Sequence, residues 1–135
     1  MGYSLGGGLG LVGRKHGFAA DHVRSLQLVT ADGVVRHVDH ESEPELFFAI
    51  RGGKGSFGVV TAMTVGLVPA QLWGGPVMYA GDDAREVLLA YRTWTETLPE
   101  EAMTSIALLR VPPLDAIPEP IRGKFVVHLR YTHCG

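Results

Sequence analysis

The chain has 135 residues, of which 46% are hydrophobic and 19% charged, and its formal net charge is −2. This composition is typical of a globular protein and excludes a disordered or fibrous one. The 12 Lys and Arg residues form no basic run, which disfavours a nucleic-acid partner. One cysteine allows neither an internal disulfide nor a structural zinc site, and no apolar stretch reaches the roughly 20 residues of a membrane span. We expect a soluble, cytoplasmic protein without membrane or nucleic-acid partners.

Glycine is concentrated in two short segments. Six of the 18 glycines fall within residues 1–13 and four within residues 52–58. Glycine allows positive φ and lets a ligand approach the backbone closely, at an entropic cost to the fold. Residues 1–13 are therefore predicted to form a loop, with a short helical turn over residues 11–16.

The next sixty residues predict a hairpin, a helix and a strand. Two β-rich runs, residues 25–30 and 34–38, meet across Ala31-Asp32-Gly33, which is a hairpin signal. Ser42 and Glu45 predict a capping box at the start of a helix that ends at residues 51–52 and whose apolar side chains recur at helical spacing. The β-branched run over residues 59–65 then predicts a buried strand.

A second unit is predicted from about residue 72 onward. Residues 77–80 favour a strand, and Asp83 with Glu86 predicts a capped helix in which Tyr91 and Trp94 belong to the core. Residues 105–111 and 124–131 favour strands, separated by a proline-rich loop. This order of elements predicts an α+β fold, with one domain over residues 1–70 and another over residues 71–135.

Two nucleotide-binding motifs match the glycine segments by letter but not by context. Residues 8–13 fit G-x-G-x-x-G, with Asp32 downstream as a possible ribose-binding acid, yet no buried strand precedes them. Residues 53–60 fit the glycine loop of protein kinases, yet the H-R-D and D-F-G motifs of that class do not occur. Neither motif is therefore assigned.

Taken together, the two segments carry a more specific resemblance. The stretches concerned are GYSLGGGLG at residues 2–10, GRKHGFAADHV at residues 13–23, VTADG at residues 29–33 and PELFFAIRGGKGSFGVVT at residues 44–61. In this order they closely resemble the FAD-linked oxidases of vanillyl-alcohol oxidase and berberine-bridge-enzyme type. The resemblance implies the second half of a PCMH-type FAD-binding domain, followed by the start of an antiparallel-sheet substrate domain.

The resemblance also implies which residues bind FAD. The triple-glycine segment would contact the flavin and diphosphate, the Ala-Asp pair would pass close to the flavin, and the second segment would contact the adenosine side. The residues concerned are Gly6, Gly7, Gly8, Gly10, Ala20, Asp21, Gly55, Ser56, Gly58 and Val60. Ser56 occupies a position where Asn is frequent in the family. No catalytic residue and no metal site are predicted.

The length of the chain suggests part of an enzyme, because family members are several times longer. The implied activity is the oxidation of an alcohol, amine or sugar C–H bond, and the isolated chain is expected to be inactive. Two alternatives remain open: a non-catalytic partner or structural subunit, and a nucleotide-binding module unrelated to flavin. Besides FAD and a small-molecule substrate, we expect either self-association or a complementing chain.

Overall fold

The structure, a computed structural model, describes residues 1–68 and 71–135. The chain divides into two compact units, Met1–Pro69 and Ala70–Gly135. Each unit contains one three-stranded antiparallel sheet together with helices. The fold is therefore α+β, as the sequence predicts, whereas the functional assignment of the two units stays a prediction.

The first unit starts with two single-turn helices around the glycine-rich segment. These are α1 (Gly2–Leu5) and α2 (Gly13–His16). The predicted turn before residue 17 is confirmed, but the prediction of a loop over residues 1–13 is wrong at α1. That turn forms because Leu5 is buried in the core and its N–H donates to the carbonyl of Met1 at 3.0 Å.

The predicted hairpin is confirmed. β1 (Val23–Val29) pairs antiparallel with β2 (Val35–Asp39), which places Leu26 opposite Val38 on the buried face of the sheet. The chain reverses at Gly33, whose φ of 77° is readily adopted only by residues without a Cβ.

Side chains at the hairpin turn form a charged network. The Asp32 carboxylate accepts hydrogen bonds from the Thr30 hydroxyl and the Val34 N–H, and from Arg36 at 3.1 Å. These donors, the hydroxyl first, lower the pKa of Asp32 to about 2. Arg36 also donates to Glu43 at 3.2 Å, so the network ties the hairpin to the start of the next helix.

The third helix, α3 (Pro44–Gly53), follows the predicted range but not the predicted cap. The Ser42 hydroxyl donates to the carbonyl of His37 and does not accept from an N–H group of the helix. The N-cap is Glu43, in the left-handed conformation with φ 52°, and it makes no side-chain cap hydrogen bond. The capping box is wrong because the β2–α3 connection draws the serine toward the hairpin.

The strand predicted after the second glycine segment exists as β3 (Val59–Val65), but it is not buried. The sheet order is β2-β1-β3, so β3 is an edge strand. Val59 is 69% exposed and Val65 39% exposed, while Val60 and Met63 pack against the core. The β-branched run predicted the strand correctly and its burial wrongly.

One face of this sheet and α3 enclose the core of the first unit. The buried side chains share contacts with one another across β1, β2, α1 and α3. They are Leu5, Val23, Leu26, Leu28, Val38, Phe47 and Ile50.

The second unit consists of three strands and one long helix. The strands are β4 (Leu72–Ala80), β5 (Ala102–Arg110) and β6 (Phe125–Cys134), and both pairs in the order β4-β6-β5 are antiparallel. The predicted strands are confirmed and each is longer than predicted, although β5 ends one residue before the predicted end and β6 starts one residue after the predicted start. Cys134, the single cysteine, is 3% exposed at the end of β6.

The helix α4 (Ala84–Thr95) lies over β4 and β6 without sealing the sheet. A cavity of about 510 Å³ separates them, lined by Val77, Tyr79, Val87, Ala90, Tyr91, Trp94, Leu129 and Tyr131. Trp94 is 37% exposed, and none of the α4 residues, all of which the structure describes, is buried. Placing Tyr91 and Trp94 in a closed core was therefore wrong, although both face the sheet. Asp83 is the N-cap, but its side chain makes no cap hydrogen bond.

Candidate functional site

The triple-glycine segment is fixed by backbone hydrogen bonds on one side only. The carbonyls of Gly7 and Gly8 accept from the N–H groups of Ala20 and Ala19, at 2.9 and 2.8 Å. The N–H of Gly7 donates to the carbonyl of Ser4 at 3.1 Å. The segment is thus held between α1 and the 3₁₀ turn Ala19–His22.

Its other side presents a row of unused donors. Within residues 1–68 and 71–135, the N–H groups of Gly8, Leu9 and Gly10 have no hydrogen-bond acceptor. Successive backbone N–H groups in such a segment form an anion-binding concavity. The arrangement fits a ligand that carries negatively charged oxygens.

The glycines of the first segment divide into packed and open positions. A Cβ at Gly8 would lie 2.7 Å from the Tyr3 ring, and one at Gly6 would lie 2.6 Å from Cε of Lys54. At Gly7 nothing lies within 4 Å, and at Gly10 only the Tyr3 hydroxyl does, at 3.5 Å. Gly6 and Gly8 therefore allow internal packing, whereas Gly7 and Gly10 leave space for a ligand.

The predicted Ala20 and Asp21 support the loop from behind. Ala20 is 7% exposed, and its N–H donates to the carbonyl of Gly7. The Asp21 carboxylate accepts from the N–H of Phe18 at 2.8 Å, which stabilises the 3₁₀ turn. His22, which the sequence left unassigned, lies 2.7 Å through Nε2 from the carbonyl of His16.

The second glycine segment begins where α3 breaks. Arg51 and Gly52 have non-helical φ/ψ values inside the helix bounds. The Arg51 guanidinium lies 4.5 Å from the centroid of the Phe47 ring, within the range of a cation–π contact. Its Nε atom is buried and has no hydrogen-bond partner among the described residues.

Lys54 is a functional candidate that sequence reasoning missed. It has φ 55° and ψ −131°, a conformation that costs a non-glycine residue about 1–3 kcal/mol. Its side chain runs across Gly6, which brings the two glycine segments together. The available signal was a lysine placed between Gly53 and Gly55, in a run where glycine would fit the backbone without strain.

The remaining predicted residues lie along the exit from the second segment. Gly55 and Ser56 are exposed in the 3₁₀ turn Lys54–Ser56, and a Cβ at Gly55 would meet nothing within 4 Å. Gly58, with φ 154°, passes so close to β1 that a Cβ would lie 2.5 Å from the carbonyl oxygen of Val29. Val60 pairs with Leu28 inside the sheet. The structure therefore places Gly58 directly before β3, packed against β1, and Val60 within β3, and it leaves Gly55 and Ser56 accessible.

In the part of the chain that the structure describes, no group of three or more His, Cys, Asp and Glu side chains could hold a metal ion. The same residues contain no helix with both the length and the apolar character of a membrane span.

No protein-family model matches the chain. Over 108 residues it is 36% identical to (R)-6-hydroxynicotine oxidase of Paenarthrobacter nicotinovorans, a match that covers 80% of this chain and 21% of the relative. Over 97 residues it is 33% identical to an uncharacterized FAD-linked oxidoreductase of Arthroderma benhamiae, covering 70% of this chain and 19% of the relative. The solved structure of berberine-bridge-enzyme-like 1 from Physcomitrella patens superposes with a TM-score of 0.77 and 28% identity, over 99% of this chain and 27% of that one.

The chain is a homologue of the FAD-linked oxidoreductases of berberine-bridge-enzyme type. It spans about a fifth of the length of the curated relatives that it matches. The resemblance seen in the glycine segments is therefore confirmed, and the fold of these oxidoreductases extends through both units of the chain.

Proposed function

We propose that the chain forms the FAD-binding part of a flavin-dependent oxidoreductase that acts on C–H bonds of alcohol, amine or sugar donors. The observation that carries this proposal is the row of N–H groups at Gly8, Leu9 and Gly10, which have no acceptor within the described residues. Such a row suits the anionic oxygens of a dinucleotide. The names of two homologues, an FAD-linked oxidoreductase and a hydroxynicotine oxidase, support the same ligand and reaction class.

In this proposal the two glycine segments have separate tasks. The first segment orients the flavin and diphosphate, the 3₁₀ turn holds that segment in place, and the second segment faces the adenosine. The residues assigned to these tasks are Gly6, Gly7, Gly8, Gly10, Ala20, Asp21, Gly55, Ser56, Gly58 and Val60. Open space at Gly7, Gly10 and Gly55 supports direct contact there, whereas Gly6, Gly8 and Gly58 would act by allowing close packing.

When bound, FAD would accept the hydride that leaves the donor C–H bond, which carries both electrons of that bond. The chain would bind and orient the cofactor through backbone N–H groups, which remain donors at any pH in the working range. Cationic side chains at Arg51 and Lys54 lie in the second segment, where they would favour a ligand of negative charge.

The second unit is proposed to begin the substrate domain. On β6, Leu129 faces the cavity under α4, so its neighbour His128 faces the opposite side of the sheet. Nε2 of His128 is buried and has no hydrogen-bond partner among the described residues. A polar group of a small-molecule substrate on that face would satisfy it.

Titration of the ¹⁵N-labelled chain with FAD tests the proposal. We expect a dissociation constant no tighter than roughly the micromolar range, about −8 kcal/mol, with amide shifts concentrated at Gly8, Leu9 and Gly10. The Gly10→Ala variant should weaken binding about tenfold, equivalent to about 1.4 kcal/mol, because the added methyl group occupies open space beside those donors. Gly2→Ala, at another open position, is the matched control and should bind like the unmodified chain.

Two results of this titration would count against the proposal. Absence of amide shifts in both glycine segments at millimolar FAD would refute the flavin site. Equal affinity for ADP and FAD would favour a nucleotide-binding module unrelated to flavin, since ADP lacks the isoalloxazine ring.

We also propose that the chain associates, either with itself or with a complementing chain. β4 is an edge strand of its sheet, and several of its apolar side chains are exposed, including Trp73 at 69% and Met78 at 43%. An exposed apolar edge strand of this kind favours association. Light scattering at high micromolar concentration should give a mass above that of the monomer, and a clean monomer with no complementing chain in its native complex would refute the idea. A cytoplasmic location stays a prediction, which cell fractionation would test.

A further inference from the structure

Lys54 has a positive φ, a backbone conformation that is unfavourable for a residue with a Cβ. Among the described residues, only Lys54 and Glu43 have positive φ without being glycine. Glu43 is held by Arg36 at 3.2 Å. Lys54 is not held in this way, because the ion pairs and hydrogen bonds of the described residues do not include it. No ion pair of the described residues offsets the strain at this position.

The lysine side chain is nevertheless well placed. A Cβ at Gly6 would lie 2.6 Å from Cε and 3.6 Å from Cγ of Lys54, so the side chain lies flat across that glycine. The ammonium group is one bond beyond Cε. It therefore lies beside the first glycine of the segment that presents the unused N–H groups of Gly8, Leu9 and Gly10.

A second cationic group supports the same reading of the site. Nε of Arg51, three residues earlier, is buried without a hydrogen-bond partner among the described residues. Buried polar atoms are almost always hydrogen-bonded in folded proteins, and an anionic oxygen of a ligand would satisfy this donor. Lys54 beside a row of backbone donors forms a cradle for an anion, and Arg51, three residues earlier, adds positive charge to the same segment of the chain.

We propose that Lys54 is a positioning residue that binds the diphosphate of the dinucleotide, with its ammonium group and the N–H row contacting the phosphate oxygens together. The inference rests on the proposed function and adds to it a side chain that binds the phosphate oxygens. It explains why a lysine occupies a backbone position that suits glycine: the charge at this point outweighs the local strain.

Three variants separate charge from strain. Lys54→Gly removes both, Lys54→Gln removes the charge and keeps the strained backbone, and Lys54→Arg keeps the charge. We expect Lys54→Gly to raise the urea midpoint of unfolding and yet to weaken binding of FAD and of inorganic diphosphate at least tenfold. Lys54→Gln should weaken binding equally without the gain in stability, and Lys54→Arg should retain most of the affinity.

The ligands used distinguish the possible failures. Riboflavin lacks phosphate, so its binding should be the same for Lys54→Gln and the unmodified chain, and an equal loss for riboflavin would overturn the diphosphate assignment. If the unmodified chain binds FAD and Lys54→Gly binds it equally well, the role of Lys54 is refuted while the flavin site stands. If the unmodified chain binds neither FAD nor inorganic diphosphate, both proposals fail.

Discussion

Each unit of the chain packs a helix on a three-stranded sheet, but the helix covers the sheet closely only in the first unit. In the first unit, α3 seals the sheet, and Leu28 and Ile50 are at most 1% exposed. In the second, α4 leaves a cavity of about 510 Å³ above β4 and β6. Both helices were predicted from apolar side chains at helical spacing. Such spacing indicates which face of a helix turns toward a sheet, but not how closely the two surfaces fit.

The largest expected effect compares one leucine from each sheet. Leu28→Ala should destabilise the first unit by about 2–5 kcal/mol, because it opens a cavity in a closed core. Leu129→Ala should cost the second unit only about 1 kcal/mol, since this side chain already borders open space. Hydrogen exchange resolved by peptide in increasing urea measures each unit separately. Equal losses would show that the second core is as tightly packed as the first.

A glycine pair tests whether the close packing of the first unit includes the backbone. Gly58→Ala should cost roughly 2 kcal/mol or more, because the methyl group would lie 2.5 Å from the Val29 carbonyl oxygen and φ is 154°. Gly55→Ala should leave stability within about 0.5 kcal/mol, since nothing lies within 4 Å. Urea midpoints of the two variants decide the matter, and a stable Gly58→Ala protein would contradict the close approach of β3 to β1.

The cavity of the second unit can be filled from the helix. Ala90→Leu, on the side of α4 that lines the cavity, should stabilise that unit by about 0.5–2 kcal/mol. Thermal unfolding of this variant and of Arg85→Leu, on an exposed position of the same helix, separates cavity filling from a change in helix propensity. A loss of stability in Ala90→Leu would mean that the cavity is narrower than its lining suggests.

The smallest expected effect is a pH dependence confined to the first unit. Because its hydrogen bonds lower the pKa of Asp32 to about 2 from an ordinary value of 3.8, the folded state prefers the charged carboxylate. The stabilisation is therefore complete above pH 3.8 and is lost as the pH falls through about 2. In Asp32→Asn the urea midpoint should lose this dependence between those two values, while the second unit should behave the same in both proteins. An unchanged pH profile in the variant would exclude Asp32 as the titrating group.

Local sequence signals predicted where the helices and strands form better than they predicted how each element is packed and capped. The Asp-Gly turn sets the hairpin, because Gly33 can adopt a φ of 77°. The β-branched residues 59–65 form a strand, yet their burial depends on whether another strand lies beyond them, which no local signal contains. The capping box failed for a similar reason, since the Ser42 hydroxyl donates to the carbonyl of His37 and Glu43 takes the N-cap position.

The candidate site was predicted as a pair of glycine segments, and the structure shows that these glycines have different surroundings. Sequence could not tell Gly10, which faces open space, from Gly58, which faces the Val29 carbonyl, because both are simply glycine in a glycine-rich run. No sequence signal pointed to Lys54, because a charged residue in a loop usually faces solvent. The role proposed for Lys54 depends on its positive φ and on the contact of its side chain with Gly6. Gly6 lies 48 positions earlier in the sequence and is brought close to Lys54 only by the fold.

Because Cys134 is buried, the rate at which a thiol reagent labels it measures local opening of the second unit. A thiol reagent can reach this side chain, which is 3% exposed, only when the end of β6 separates from its neighbours. Since the chain contains no other cysteine, the rate of labelling reports that opening alone. Ligands or partner chains that cover the sheet would slow the labelling, so occupancy of the second unit can be followed without any added probe in the protein.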